Sequence, residues 1–538
     1  MALPRDHEAM ELRGMGTSSV KAAPEVTVEV ESRDKNLSDE YPDDEYATND
    51  QRDMQRMGKR QEFRVGTTLG RFDACPIADE RDEIAQLSDD FYHRLHHLRD
   101  GHLGHLAHFF IMLCLAEMAS MAPTAGGQYH WVSEFAPREY QKILSYLSGW
   151  LSTVSWQSIV ALDAFLIGSI IQGLITLNNT AYSPERWQGT LFVFVSVVGV
   201  ALFNVFAAKH LPLAEGAFVT LYILAFFPVI ITLLVLAPKQ SASTVFTQFT
   251  DNGAGWPSIS LTVMVGQVSS MFVVLGSDSV AHMAEEIRDA SIVVPKSMVW
   301  SFLLNMPFTF GLLLTFLFCI GNVEEALATP TGFPFIYVFQ NATGSVGGAT
   351  GLTIVVLVLL IMVTISSLAS TSRQTFAFAR DNGLPFSEWL GRVHPTWHVP
   401  VNSVQFTCFF SMALALINIG STVAFNAMLS LSTVALMATY VISIGCVTLK
   451  RIRKEELPRS RWSLGRYGLV INIIALVYAC WSFFWSFWPN SYDITAQNFN
   501  WACVLFVSMM ALSCVVYFVQ ARHTYDGPVV KVEGQKAK

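Results

Sequence analysis

Residues 276–290 read Gly276-Ser277-Asp278-Ser279-Val280-Ala281-His282-Met283-Ala284-Glu285-Glu286-Ile287-Arg288-Asp289-Ala290. They close an otherwise apolar segment, residues 259–283, that is long enough to cross a bilayer. Asp278 stands inside it. A carboxylate within a membrane segment is costly and faces a partner or a cavity. Gly266 and Gly276 relax the backbone there, and Ser277 and Ser279 can bond backbone groups that such relaxation frees.

The rest of the chain supplies the membrane context. Of 538 residues, 52% are hydrophobic and 14% charged, against about 25% charged in an average soluble protein. The apolar residues come in long blocks. Eleven segments have the length of a span: 103–121, 144–177, 190–208, 214–237, 259–283, 297–320, 348–369, 401–419, 423–449, 469–488 and 501–519. The first is short and poor, and the second reads as one strongly tilted helix. The chain is therefore expected to be an all-α polytopic membrane protein.

Its charge is uneven. Residues 1–100 hold 23 acids and 14 bases, a net −9; the other 438 hold 20 acids and 21 bases, a net +1. The acidity belongs to a polar N-terminal tail, residues 1–102, expected to lack structure at least to Glu62. Its first residues do not resemble a signal peptide. A membrane-spanning domain over 103–520 and a C-terminal tail over 521–538 complete the organisation. Neither the eight cysteines nor any other spacing forms a disulfide frame or a zinc site. No catalytic triad, nucleotide motif or nucleic-acid module is found, so neither an enzyme nor a cofactor is expected.

Alternate loops divide the basic residues sharply. One class holds fifteen, from Arg138 to Arg466; the other holds only Arg186 and Lys239. The basic class is expected in the cytoplasm, together with the C-terminus. The sequons beginning at Asn178 and Asn341 then lie outside as glycosylation candidates. Eleven spans would leave the N-terminal tail outside as well; an even number would bring it in. One helix is missing from the count.

The motifs resemble a known family. Ser120-Met121-Ala122-Pro123-Thr124-Ala125-Gly126-Gly127-Gln128-Tyr129-His130-Trp131 is similar to the second-helix signature of the fungal amino acid/choline transporters, within the amino acid–polyamine–organocation superfamily. The quoted stretch at 276–290 resembles their sixth helix and following loop. Thr329–Phe335, Ala377–Pro385 and Trp501–Pro528 resemble the family too. The likeness covers about 113–529. It implies twelve helices, with 1–5 and 6–10 as inverted repeats and helices 1 and 6 broken near the midplane, where unwound backbone lines a cavity. It also implies a plasma-membrane secondary transporter of a small amine-bearing solute (amino acid, γ-aminobutyrate or choline), coupled to protons and working by alternating access.

On that reading Gly276, Ser277, Asp278 and Ser279 form the substrate-binding break, with Asp278 facing the solute's ammonium. The competing reading makes Asp278 a cap for the second half-helix. His282, Glu285 and Asp163 are candidates for a gate or proton relay, although Asp163 departs from the family pattern and can instead pair across helices. Glu117 is expected to be structural. Trp156 and Phe272 are candidates for a cation–π wall. Gly126-Gly127 reads as a helix-end turn, with Tyr129, His130 and Trp131 in an interfacial belt.

Where the family carries its first helix, residues 91–110 read FYHRLHHLRDGHLGHLAHFF, with six histidines. The region 79–112 is aberrant, and the first helix is missing or degraded. A misread stretch of coding sequence accounts for the abrupt change of character. Two other readings stay open: a truncated relative that does not transport, and a histidine cluster in which His93 and His97 share a helix face. No metal is expected.

Overall fold

The computed structural model describes residues 50, 52–54, 56, 57 and 59, then 98–528 apart from 248–254, 273, 421–423, 490, 496–498 and 526. All lie in the unit Glu45–Lys538. Among the described residues ten helices are long and apolar enough to cross a membrane. In chain order they and the short helices between them are α1 (Leu98–Met121), α2 (Gln128–Phe135), α3 (Gln141–Asn178), α4 (Arg186–Phe206), α5 (Leu211–Leu236), α6 (Ala242–Thr247), α7 (Ile259–Phe272), α8 (Ser279–His282), α9 (Ala290–Cys319), α10 (Val323–Leu327), α11 (Pro334–Thr343), α12 (Val346–Arg380), α13 (Ser387–Leu390), α14 (Val401–Gly420), α15 (Ala424–Ile452), α16 (Gly468–Trp485) and α17 (Ala502–Val516).

Each of the eleven apolar segments is helical, and the architecture is all-α. One segment differs in kind. Residues 259–283 divide into α7 and α8, with turns over 274–278 and Gly276 at φ +91°. That backbone suits glycine. The break is thus written into the residues that sit there.

The long helix α3 is the hub. It packs against α12, α15, α14 and α4, while α1 packs against α9, α16 and α7. Its 38 residues span about 57 Å at 1.5 Å per residue, well beyond a bilayer core. Contact faces are rich in small polar residues: Ser145, Ser148, Ser152 and Ser155 on α3 and Ser366, Ser367, Ser370 and Ser372 on α12 are all buried. Small residues let helix backbones approach where lipid removes the hydrophobic drive to associate. On the periphery, Leu213, Val235 and Val519 are exposed, as lipid-facing positions should be.

Four expectations change at the ends and turns. The Gly126-Gly127 turn is present, with Gly127 at φ +54°. It folds α2 back against α3 and α15, so Tyr129, His130 and Trp131 are buried inside the protein and form no interfacial belt. Trp131 Nε1 donates to the Ala122 carbonyl at 3.0 Å. The N-terminal tail is not featureless before Glu62: Arg52–Met54 and Arg56 are helical, and Met54 and Met57 join the core. Helix α1 starts at Leu98, before the expected boundary, and takes in His102, His105 and His108; residues 79–97 lie outside the described residues. At the other end, Tyr525 is buried and its hydroxyl lies 2.6 Å from Ser145 Oγ. That part of the expected C-terminal tail is pinned to α3.

Candidate functional site

The break between α7 and α8 presents Asp278 to side chains from three other places. Tyr440 of α15 donates its hydroxyl to Oδ1 at 2.7 Å. Gln128 Nε2 of α2 donates to Oδ2, and His282 Nε2, four residues on, lies 3.2 Å from Oδ2. Ser277 Oγ donates to the Val274 carbonyl at 2.8 Å, and the Ser279 N–H to the Gly276 carbonyl at 2.8 Å. The serines therefore satisfy and close the unwound turn. Gly276, Ser277, Asp278 and Ser279 all lie at the break between α7 and α8. Asp278 precedes α8 directly, yet its side chain makes no capping bond to it. The capping reading is not what the geometry gives.

His282 ties this break to the turn after α1. Its Nδ1 lies 2.9 Å from the Ala125 carbonyl, which can only accept, so Nδ1 carries a hydrogen. Nε2 faces a carboxylate, which also accepts when ionised. The imidazole therefore bridges the Ala125 carbonyl and the Asp278 carboxylate. Gly127 makes the approach feasible: a Cβ there would lie 2.7 Å from His282 Cε1. Trp156 of α3 stands edge-on to the imidazole, ring centroids 5.3 Å apart. The Phe272 side chain lies outside the described residues.

Beyond His282, towards the face with the basic loops, is a layer of ion pairs. Glu285 receives both Arg380 nitrogens, at 2.7 and 2.9 Å, and the Ala125 N–H at 3.2 Å. Burial would raise its carboxyl, but Arg380 and Lys59 hold it below the usual range. Next to Arg380, Asp381 pairs with Lys59 of the tail and accepts from the Tyr129 hydroxyl at 3.0 Å. Burial pulls the Lys59 ammonium below its ordinary value, against the attraction of Asp381. The same tail stretch reaches across the face. Arg56 donates to the Met121 carbonyl, and Asp50 accepts the Asp289 and Ala290 N–H groups at 2.7 and 3.1 Å, where α9 begins. Those are the free donors of a helix start, which an acid suits.

The remaining expected residues lie elsewhere. Asp163 is on α3, where Ser367 Oγ of α12 donates to it at 2.8 Å; it pairs across helices. Glu117 is buried with Arg451 at 2.7 Å and also receives Ser463 Oγ and the Leu464 N–H, a structural tie between α1 and α15. Asn178 and Asn341 are both exposed. Asn178 Nδ2 donates to Leu174 and Thr350 at 2.9 Å each, and Asn341 lies in the last turn of α11. Among the described residues no three His, Cys, Asp or Glu side chains gather as a metal site, and His93 and His97 lie outside them.

Sequence reasoning missed Gln128 and Tyr440 as partners of Asp278. Gln128 stood in plain view beside the glycine turn. Tyr440 is one aromatic among many on an apolar helix and carries no local signal. The amino acid permease family model matches residues 103–509. The chain belongs to the amino acid permease family. The permease is 34% identical over 390 residues to a Macrophomina phaseolina protein named as an amino acid/polyamine transporter, covering 72% of this chain and 86% of that one. It is 29% identical over 441 residues to the amino-acid permease BAT1 of Arabidopsis thaliana, covering 78% and 84%. With the choline transporter of Saccharomyces cerevisiae it shares 26% over 407 residues, covering 75% and 71%. The permease is an integral, multi-pass membrane protein.

Proposed function

We propose that the permease is a proton-coupled secondary transporter of a small amine-bearing solute, an amino acid, γ-aminobutyrate or choline. It works by alternating access between two inverted five-helix repeats. The names of its relatives, which include amino-acid and choline transporters, support that solute class. It sits in the plasma membrane with the basic loops and C-terminus in the cytoplasm, as the loop charges support.

Asp278 carries the reading. A carboxylate offers about four lone-pair positions, and three are engaged by Tyr440, Gln128 and His282. The fourth takes the solute's ammonium, in a break formed by Gly276, Ser277 and Ser279. A proton held between Asp278 and His282 is the coupling proton. When it leaves, two acceptors face each other and the carboxylate must find another cation. Solute and proton are linked through one atom group. Glu285 with Arg380 forms the gate towards the basic face.

The test is uptake by the full chain reconstituted in lipid vesicles with an imposed pH gradient, using labelled amino acids, γ-aminobutyrate and choline. Saturable, gradient-dependent uptake is expected, and Asp278→Asn should abolish it while the protein still folds. Wild-type rates in that variant would end the binding role of Asp278. No uptake by the unaltered chain would favour the non-transporting relative.

A further inference from the structure

One member of the histidine stretch belongs to the same buried region. His108, in α1, is fully buried, and neither ring nitrogen has a hydrogen-bond partner among the described residues. Its ring is stacked at 6.3 Å on Phe302 of α9 and lies edge-on at 6.4 Å to Tyr440, whose hydroxyl holds Asp278. It is within electrostatic reach of Asp278, and it faces the Val274 carbonyl in the break. Buried polar side chains nearly always find a partner, and an exception calls for a reason. A fully buried imidazole with no close hydrogen bond, packed on the tyrosine that holds Asp278, is placed to meet a bound solute.

We propose that His108 is a specificity-determining residue that donates an N–H to the carboxylate of a zwitterionic solute. This rests on the reading of Asp278 as the ammonium site. Asp278 alone accepts any small amine. An acid at one end and an imidazole donor at the other select a solute carrying both charges. Tyr440 stands between the two, touching the His108 ring with its own and Asp278 with its hydroxyl. A neutral imidazole always has one N–H to give, so the contact needs no protonation event. A hydrogen bond to a charged group is among the stronger ones, and its loss weakens binding by about tenfold or more.

The experiment uses the purified full chain in detergent and reads ligand-induced thermal stabilisation and binding. The probes are each standard α-amino acid and γ-aminobutyrate, every one beside its decarboxylated amine, plus choline. Wild type is compared with His108→Phe, which keeps the stacked ring and removes the N–H, and with His108→Asn, which keeps a donor. The expected result is zwitterion binding in wild type, weakened about tenfold in His108→Phe, partly restored in His108→Asn, with amine and choline binding unchanged. Equal loss for zwitterions and amines would mean that His108 only shapes the fold. Amines binding wild type as well as zwitterions, or no zwitterion binding at all, would also overturn the proposal. Asp278→Asn separates the two readings: retained amine binding there removes the underlying site, whatever His108 does.

Discussion

Asp163 and Asp278 are both aspartates inside apolar segments, both fully buried, and they have come to different arrangements. Asp163 sits on the unbroken α3. Its side chain can reach only what passes that face of the cylinder, and it meets Ser367 of α12. Asp278 sits where the cylinder has come apart. The unwound turn lets α2, α15 and the following half-helix converge on one carboxylate. Breaking the helix costs backbone hydrogen bonds, which Ser277 and the Gly276 carbonyl partly recover. In return the charge becomes a junction between three elements of the fold. On the proposed function, convergence rather than burial alone separates the two acids.

That contrast can be broken in four places. The largest effect is expected at Asp278→Asn, where uptake should fall by more than about 100-fold, since a charge-assisted contact and the coupling proton go together. Next is Glu285→Gln. It leaves Arg380 buried without its counter-charge and should cost about 3 kcal/mol in stability, read by thermal unfolding in detergent. Gly127→Ala places a methyl against His282 at a backbone angle unsuited to alanine. It should cost about 2 kcal/mol and weaken uptake together with stability. The smallest effect belongs to Asp163→Asn, because the amide can still accept from Ser367. Uptake within about threefold of wild type is expected. Loss of uptake there comparable to Asp278→Asn would mean that convergence is not what separates the two acids.

Much of this was legible beforehand. Apolar runs of span length are a direct consequence of bilayer thickness, so every segment appeared, and the broken one carried its glycines and its acid in plain sequence. Glu117, expected to be structural, pairs with Arg451 between α1 and α15. What the sequence hid was long-range. Nothing near Tyr440 marks it as a donor to a residue 162 positions away. Tyr129 and Trp131 have the composition of an interfacial belt, and only the tight turn at Gly127 carries them inward. The stretch around Asp50 and Lys59 departs from the expected tail for a related reason. Its charges suggest a solvated chain, yet Asp50 and Lys59 find buried partners in helix-start N–H groups and an aspartate. A charge reads as solvated until its counterpart is known, and that counterpart lies hundreds of residues away.

The docking of the tail has a practical meaning. Lys59 is a cleavage point for trypsin, and its side chain is only 7% exposed while paired with Asp381. A protease can cut there only during intervals when the strap has lifted from the basic face. The rate of cleavage after Lys59 itself is therefore a clock for that face, read from the fragment that begins at Arg60, with no label and no substrate required.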